Sequence, residues 1–343
     1  MVKRNQKFSI FKLRDEYQAL LLKCLEPIDL LEITFLSKRA KRAVKNAGLK
    51  AKCLTFSEEW ISLDFDWCDT PFVFGFEGDM DLIGGYRVLN GHNYFWYKNY
   101  EENYICGFTD EIPKYMIMFH YFLELFKVDS YGCEATKPFN KRRLEQLPDT
   151  VQTLTISEMM TDKDEIAEVM EHFEIEDELV VMSDIEQFHE KMLSIPNIIL
   201  GNAQNLNIKD VAKLDCISME ITFHEYTDEH INYFLKHWKS NKTRLEVLKL
   251  KNYDFDLDKV LEGTDAMMYD YLRRNPYFEL NGEDIDCTEF MDVVRDADGR
   301  IAAVGLEEPR VGDDHEGEED WKFLWMYVFP DDEEKENHRV NSC

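Results

Sequence analysis

Apolar residues near the start of the chain recur at helical spacing. In the first predicted helix they stand at i, i+3, i+4, i+7 and i+8: Tyr17, Leu20, Leu21, Cys24 and Leu25. Asp15 and Glu16 then fall in the first turn, where carboxylates suit the helix dipole. This spacing predicts one amphipathic helix, with its apolar stripe on a single face.

Two more short helices are predicted before residue 48. Pro27 suits the first position of the second helix, whose apolar residues fall on more than one face: Ile28, Leu30, Leu31, Ile33 and Phe35. The third helix pairs a stripe of small apolar residues with the basic run KRAKR at 38–42, and Gly48 is expected to end it. Three helices in under forty residues enclose little core. The surplus apolar surface either docks on a partner or packs against the rest of the chain.

Strand-like text follows from about residue 53 to 108. WISLDFDW alternates between apolar and polar residues, FVFGF and NYFWY come next, and Gly, Asn and Asp separate them. The stretch is dense in aromatic residues, which predicts the packing of a small sheet; an exposed recognition surface is the alternative. Pro113 opens a predicted helix that runs to about Lys127.

From residue 151 the pattern predicts strands that alternate with helices. The expected strand cores are Leu154/Ile156, Leu179/Val181, Leu206/Ile208, Met219/Ile221 and Leu248/Leu250. VQTLTI and LEVLKL fit an L-x-x-L-x-L template, so an irregular leucine-rich-like repeat is expected. Alternation of this kind favours right-handed crossovers and a curved parallel sheet.

Two helices, a hairpin and a closing strand are predicted in this region. Ser183 and Glu186 are predicted to form a capping box before the helix DIEQFHEKML, and TDEHINYFLKHW carries an apolar stripe at i, i+3, i+4 and i+7. Further on, VVRDADGRIAAV predicts a hairpin and WKFLWMYVF a last strand. The expected fold class is therefore mixed α/β.

Charge narrows the possible partners. The 343 residues include 40 Lys and Arg against 69 Asp and Glu, for a net charge of −29. Nucleic acid and anionic membrane surfaces are therefore disfavoured. The charge is uneven, because residues 1–52 hold 13 basic and 5 acidic residues. Residues 331–343 begin DDEEKE, which predicts a solvated acidic tail.

The cysteines and the apolar runs indicate the cellular location of the protein. Eight cysteines are scattered without a C-x-x-C pair, which disfavours zinc ribbons and redox motifs. Charges at Lys12 and Arg14 interrupt any signal-peptide core, and the apolar run YMIMFHYFLELF is too short for a bilayer span. An intracellular protein, cytoplasmic or nuclear or both, is expected.

The sequence does not match the motifs of phosphate, calcium or other metal sites. GFEGDMDLIGGYR lacks the Lys-Ser/Thr of a phosphate loop. DADG at 296–299 resembles a calcium loop, but Val294 and Gly305 would then stand where carboxylates are needed, so a hairpin turn is expected. His230 and His237 are two helical turns apart, too far to share a metal. We therefore expect no cofactor, no metal and no catalytic residues.

The three-helix segment resembles an F-box, the helical module that binds the Skp-type adaptor of cullin-based (SCF) ubiquitin ligases. The matching text is LRDEYQALLLKCL at 13–25, PIDLL at 27–31 and SKR at 37–39. The resemblance implies these adaptor-binding residues: Leu13, Tyr17, Leu21, Leu25, Pro27, Leu30, Leu31, Lys38 and Arg39. Two positions depart from the family, because Arg14 stands where proline is usual and Ala40 where an aromatic residue is common.

The later part of the chain resembles the type-2 F-box-associated region of a large nematode family. The resemblance rests on INYFLKHWKSNKTRLEVLKL and VVRDADGRIAAV, and spans about 150 to 305. It implies a substrate-recognition subunit of an SCF ligase, non-catalytic itself, that holds a protein substrate near the ubiquitin-loaded enzyme.

The expected organisation has four parts: an F-box at 8–48, a β-rich region plus helix at 53–130, a leucine-rich-like substrate-recognition region at 150–330, and an acidic tail at 331–343. One alternative is a leucine-rich-like interaction scaffold that never enters a ligase. A second is a hydrolase with paired carboxylates, which no motif supports.

Overall fold

The structure is a computed structural model of the whole chain. It describes residues 13–68, 71–75, 85–89, 92–99, 104–108, 114–139, 144–252, 255–307 and 322–330. The predicted acidic tail, 331–343, lies outside the described residues. The chain divides into two compact units, residues 1–154 and 155–343.

The first unit begins with the three predicted helices. They are α1 (Asp15–Leu22), α2 (Pro27–Leu36) and α3 (Lys38–Asn46). Pro27 holds the first position of α2, as expected. Ser37 begins α3, because its side chain accepts a hydrogen bond of 3.1 Å from the Ala40 N–H. Gly48 follows α3 with φ +60°, the left-handed conformation that favours glycine at a helix end.

The strands of the first unit form a mixed sheet. They are β1 (Lys50–Ser57), β2 (Trp60–Asp64), β3 (Phe72–Gly75), β4 (Gly85–Leu89), β5 (His92–Asn99), β6 (Tyr104–Phe108) and β7 (Lys127–Ala135). Their order is β7-β1-β2-β3-β6-β5-β4. The helix predicted after Pro113 is α4 (Lys114–Leu125). The β-rich character of this region is confirmed.

Strand β7 is an element that the apolar pattern did not indicate. It pairs with β1 in parallel from Lys50↔Lys127 to Ser57↔Glu134. Gly132 lies in a tight place, since a Cβ there would come within 2.8 Å of the Thr55 Oγ1. Polar residues such as Asp129 and Ser130 conceal this strand from a search for alternating apolar positions.

β8 (Thr150–Ile156) spans the division between the units, and a run of parallel strands follows it in the second unit. These strands are β9 (Glu174–Val181), β10 (Asn197–Asn202), β11 (Ser218–Phe223) and β12 (Val247–Asn252). β9 pairs with β10, β10 with β11 and β11 with β12, all in parallel. The predicted parallel arrangement is confirmed for these four strands. Their leucine-rich-like character stays a prediction.

Helices connect these strands. They are α5 (Lys163–His172), a 3-10 helix (Glu190–Ser194), α6 (Ile208–Val211) and α7 (Asp228–Ser240). α7 is the predicted amphipathic helix, and it buries all four residues of its stripe: Ile231, Phe234, Leu235 and Trp238. α5 was not predicted, although Asp162 caps it by accepting the Asp164 N–H at 2.8 Å.

A short helix and six antiparallel strands complete the described part of the second unit. They are α8 (Leu257–Val260), β13 (Met267–Met268), β14 (Tyr277–Leu280), β15 (Glu283–Asp286), β16 (Met291–Val294), β17 (Ile301–Glu307) and β18 (Lys322–Val328). β16 and β17 form the predicted hairpin, and β18 pairs with β17 and β12. Gly299, at φ +79°, takes its place in the hairpin turn that the sequence favoured over a calcium loop.

Two predictions in the second unit are wrong. Leu206 and Ile208 are not in a strand: the preceding strand, β10, ends at Asn202, and Asn207 caps α6 by accepting the Lys209 N–H at 2.9 Å. The helix predicted directly after Ser183 is not formed, and within residues 183–194 only 190–194 form a 3-10 helix. His189 begins that helix, since its Nδ1 accepts the Lys191 N–H at 3.4 Å.

Candidate interaction site

The second helix packs on the chain's own core. Leu30 and Leu31 are 0% and 1% exposed, and Pro27 and Ile28 are buried as well. Phe35 of α2 stacks on Tyr121 of α4, with the two ring centroids 5.8 Å apart. The surplus apolar surface predicted for α2 is therefore largely covered by the first unit itself.

A small polar network fixes α2 and α3 to α4. The Tyr121 hydroxyl donates to Thr34 Oγ1 at 2.6 Å, and the Thr34 hydroxyl donates to the Leu31 carbonyl at 2.6 Å. Burial raises the pKa of Tyr121 to about 12, so this hydroxyl keeps its proton as a donor. Lys41 of α3 pairs with Glu124 at 2.7 Å. The hydrogen bond from Lys41 lowers the pKa of the Glu124 carboxyl.

The first helix turns an apolar face outward. Tyr17 is 50% exposed, Leu20 62% and Leu21 39%, whereas the neighbouring Leu22 is buried. We call Tyr17, Leu20 and Leu21 the α1 surface. Side chains spaced at i, i+3 and i+4 lie on one helix face, so these three make one apolar patch. Leu36, at the end of α2, is also exposed.

The structure sorts the predicted adaptor-binding residues into three groups. Tyr17, Leu21, Lys38 and Arg39 are exposed, Leu13 and Leu25 are half-buried, and Pro27, Leu30 and Leu31 are buried. The buried group packs inside the protein and presents no exposed surface to a partner. Leu20 was part of the sequence stripe but not of the predicted set. Its exposure makes it the residue of the α1 surface that the motif comparison missed.

The two departures from the F-box pattern have distinct surroundings. Ala40 is 0% exposed, so an aromatic side chain at this position would require α3 to move. Arg14 stands just before α1 and caps nothing with its side chain. Its guanidinium lies 3.5 Å from Glu16, and both side chains are largely exposed.

The aromatic stretch packs inward where its side chains are described. Phe65, Phe72 and Phe74 are buried, and the Phe72 ring meets Phe122 of α4 edge to face at 6.1 Å. These contacts favour the packing interpretation for this part. The side chains of the stretch from residue 76 to 108 lie outside the described residues.

Within the described ranges, no three His, Cys, Asp or Glu side chains are grouped so as to hold a metal ion. None of the helices in those ranges is long and apolar enough to cross a membrane.

Comparison with known proteins places two relatives in Caenorhabditis elegans. The uncharacterized protein F54H12.5 is 29% identical over 291 residues, which cover 82% of this chain and 85% of that protein. The uncharacterized protein F59B2.9 is 23% identical over 353 residues, which cover 92% of this chain and 78% of that protein. No solved structure matches.

A family comparison gives a functional description for one segment. Residues 186–250 match a protein-family model described as F-box associated. The matched segment runs from the loop after β9 through β10, β11 and α7 to β12, and does not include the helices at the start of the chain. The resemblance expected for residues 150–305 is thereby confirmed over 186–250.

Proposed function

We propose that this chain is the substrate-recognition subunit of an SCF-type (cullin-based) ubiquitin ligase. The observation that carries the proposal is the match of residues 186–250 to an F-box-associated family. The three helices before this segment also support the proposal, because they resemble an F-box and leave the α1 surface exposed. In this arrangement a Skp-type adaptor, and through it a cullin, binds residues 8–48, and a protein substrate binds within 150–330.

The chain contributes proximity rather than chemistry. The ubiquitin-loaded conjugating enzyme carries the reactive thioester, and the receptor holds a substrate lysine within its reach. Raising the effective concentration of two reactants in this way accelerates a reaction without any catalytic group on the receptor. We therefore propose a non-catalytic role.

The α1 surface supplies the apolar anchors for the adaptor. Tyrosine is among the side chains that contribute most to interfaces, and burial of the exposed leucines removes further apolar area from water. The basic residues Lys38 and Arg39 are exposed on α3, and we expect them to pair with carboxylates of the adaptor. Leu30 and Leu31 contribute indirectly, by holding α2 in place.

The test is capture of a purified Skp-type adaptor by the full chain. We expect Leu21→Asp to reduce binding at least a hundredfold, because a carboxylate would be buried without a partner. Leu123→Asp is the matched control, since Leu123 of α4 is 36% exposed against 39% for Leu21. Leu30→Asp is unsuitable as a binding test, because Leu30 is fully buried and its replacement would unfold the helices.

The interaction-scaffold alternative makes a different prediction. A scaffold that never enters a ligase would bind the adaptor without a cullin, or bind no adaptor. Reconstitution with adaptor and cullin together therefore separates the two functions. The ligase proposal fails if the wild-type chain captures no adaptor, or if Leu21→Asp and Leu123→Asp bind equally well.

A further inference from the structure

The second unit contains an apolar cavity of about 290 Å³ between α5 and the segment 183–192. Ile166, Ala167 and Met170 line it from the helix, and Ile185, Phe188 and Met192 line it from the segment. This segment is the one in which a helix was predicted. Its apolar residues point into the cavity instead of forming a helical stripe.

The cavity is held open by contacts between its two walls. Lys191 Nζ donates to the carbonyls of Glu171 and Phe173 at 2.8 and 3.1 Å, which ties the segment to the end of α5. At the other end of α5, Lys163 Nζ lies 2.7 Å from Glu186 Oε2. Lys163, Glu186 and His189 add polar atoms to the lining. The site is thus preformed, as ligand pockets commonly are.

Exposed carboxylates flank the cavity. At 3.6 residues per turn, the lining residues Lys163, Ile166, Ala167 and Met170 share one face of α5. Asp164 and Glu171, three residues before and four residues after Ala167, lie at the edge of that face, and both side chains are exposed. Glu190 adds a third exposed carboxylate from the segment. In the described part of the chain none of these three side chains forms an ion pair. The two nearby lysines are already engaged with the walls.

We infer that this cavity binds a peptide segment of a partner protein that carries a bulky apolar side chain flanked by lysine or arginine. The volume is at the lower end of the roughly 300–1,000 Å³ of small-molecule sites, which suits one or two inserted side chains. Met170 and Met192 adapt to different apolar shapes. The acidic rim and the chain's net charge of −29 attract a basic segment.

The inference deepens the proposed function and rests on it, because it gives the chemistry of the substrate that the receptor would hold. The segment 186–192 belongs to the part that matches the F-box-associated family. The other wall, α5, lies before that match. The family description therefore does not by itself indicate this cavity.

Random-peptide phage display against the full chain tests the inference. We expect the selected peptides to share a bulky apolar residue within two positions of lysine or arginine. Synthetic copies, measured by fluorescence anisotropy, should lose at least tenfold in affinity when that apolar residue becomes alanine. They should also weaken as salt rises, because the rim contacts are exposed. Selected peptides without basic residues would overturn the inference.

Variants locate the binding. Ala167 is half-buried at the cavity wall, so Ala167→Phe should fill the space and reduce affinity at least tenfold. Glu171→Gln should reduce affinity about threefold, as for one exposed charge pair. Glu168→Gln is the matched control, since Glu168 is also exposed but lies on the side of α5 away from the lining residues and should have no effect. If Ala167→Phe unfolds the chain, the contrast between Glu171→Gln and Glu168→Gln still decides whether the carboxylates beside the cavity contribute to binding.

Two other outcomes are informative. Equal binding by Ala167→Phe and the wild type would overturn the inference. So would a dimer that Ala167→Phe dissociates while no peptide is selected, since a second copy would then be the occupant. Adaptor capture on the same protein separates the proposals. Peptide binding without adaptor binding removes the ligase function alone, and adaptor binding without any selected peptide removes the cavity inference alone.

Discussion

Helices α1 and α7 carry the same apolar spacing but opposite environments. In α1, Tyr17 and Leu21 of the stripe are exposed, whereas in α7 Ile231 and Leu235 are 0% exposed. The difference follows from connectivity. α7 joins the parallel strands β11 and β12, so it must cross back over the sheet and cover it. α1 joins only another helix, and no strand pairing forces its stripe inward.

The comparison shows what an amphipathic stripe leaves undecided. The spacing identifies which residues share a face, but not what covers that face. For a crossover helix the chain itself supplies the cover. For a helix at the end of a small helical group the cover can come from another protein, and this is the physical basis of the proposed adaptor site.

The same substitution in both helices tests the comparison most strongly. Leu235→Asp should lower the free energy of unfolding of the second unit by several kcal/mol, because it buries a charge without a partner. Leu21→Asp should change the stability of the first unit by less than about 1 kcal/mol. Urea unfolding monitored by tryptophan fluorescence and circular dichroism measures both.

A large loss of stability in Leu21→Asp would contradict the comparison. It would mean that the chain itself covers the α1 surface, and the adaptor site would lose its anchor. Leu235→Asn serves as a control that keeps the size of the aspartate without its charge. It should be less destabilising than Leu235→Asp.

The sequence predicts the helices that have clear boundaries. Pro27 marks the start of the second helix and Gly48 the end of the third, and the structure agrees with both. α7 is correct because a long stripe with four apolar residues is a strong signal. The hairpin of β16 and β17 is correct because Gly299 sits in a turn between two apolar runs.

The errors arise where tertiary contacts or local caps compete with the apolar pattern. Asn207 caps α6, so Leu206 and Ile208 leave the strand expected of them. In the segment 183–192 the contacts of Lys191 with α5 favour an open cavity wall over a helix. The exposure of Tyr17 and Leu21 agrees with the adaptor-binding prediction, whereas Pro27, Leu30 and Leu31 are buried. The apolar spacing of α2 could not decide between docking on a partner and packing against the rest of the chain, because it does not show what covers each face.

A smaller effect is expected at His224, in the turn between β11 and α7. Its Nδ1 accepts the Tyr226 N–H at 3.1 Å, and its ring stacks on Tyr226 with the centroids 4.9 Å apart. Burial lowers the pKa of His224 from 6.5 to about 4. Above about pH 6.5 both the folded and the unfolded states hold it neutral. Below that pH the unfolded state gains a proton first, so stability falls until about pH 4.

Because the unfolded state binds this proton and the folded state does not, we expect the free energy of unfolding of the second unit to fall by on the order of 2 kcal/mol between pH 6.5 and pH 4. His224→Phe keeps the ring stacking and removes the titration. Urea unfolding at several pH values should therefore show a shallower fall in stability for the variant than for the wild type. The same slope for both proteins would exclude a buried His224 that stays neutral in the folded state.

The smallest expected effect concerns how α1 begins. Arg14 has φ −64° and ψ 152°, which proline adopts without strain, and in the described residues its N–H donates no hydrogen bond. Its pair with Glu16 is exposed and contributes little. Arg14→Pro should therefore stabilise the first unit by about 0.4–1 kcal/mol, because it restricts the unfolded chain. Urea unfolding, with Arg14→Ala as the control, measures this gain.

By fixing the first turn that presents the α1 surface, Arg14→Pro should also tighten adaptor binding. Weaker adaptor binding by a stabilised Arg14→Pro variant would mean that Arg14 itself contacts the adaptor.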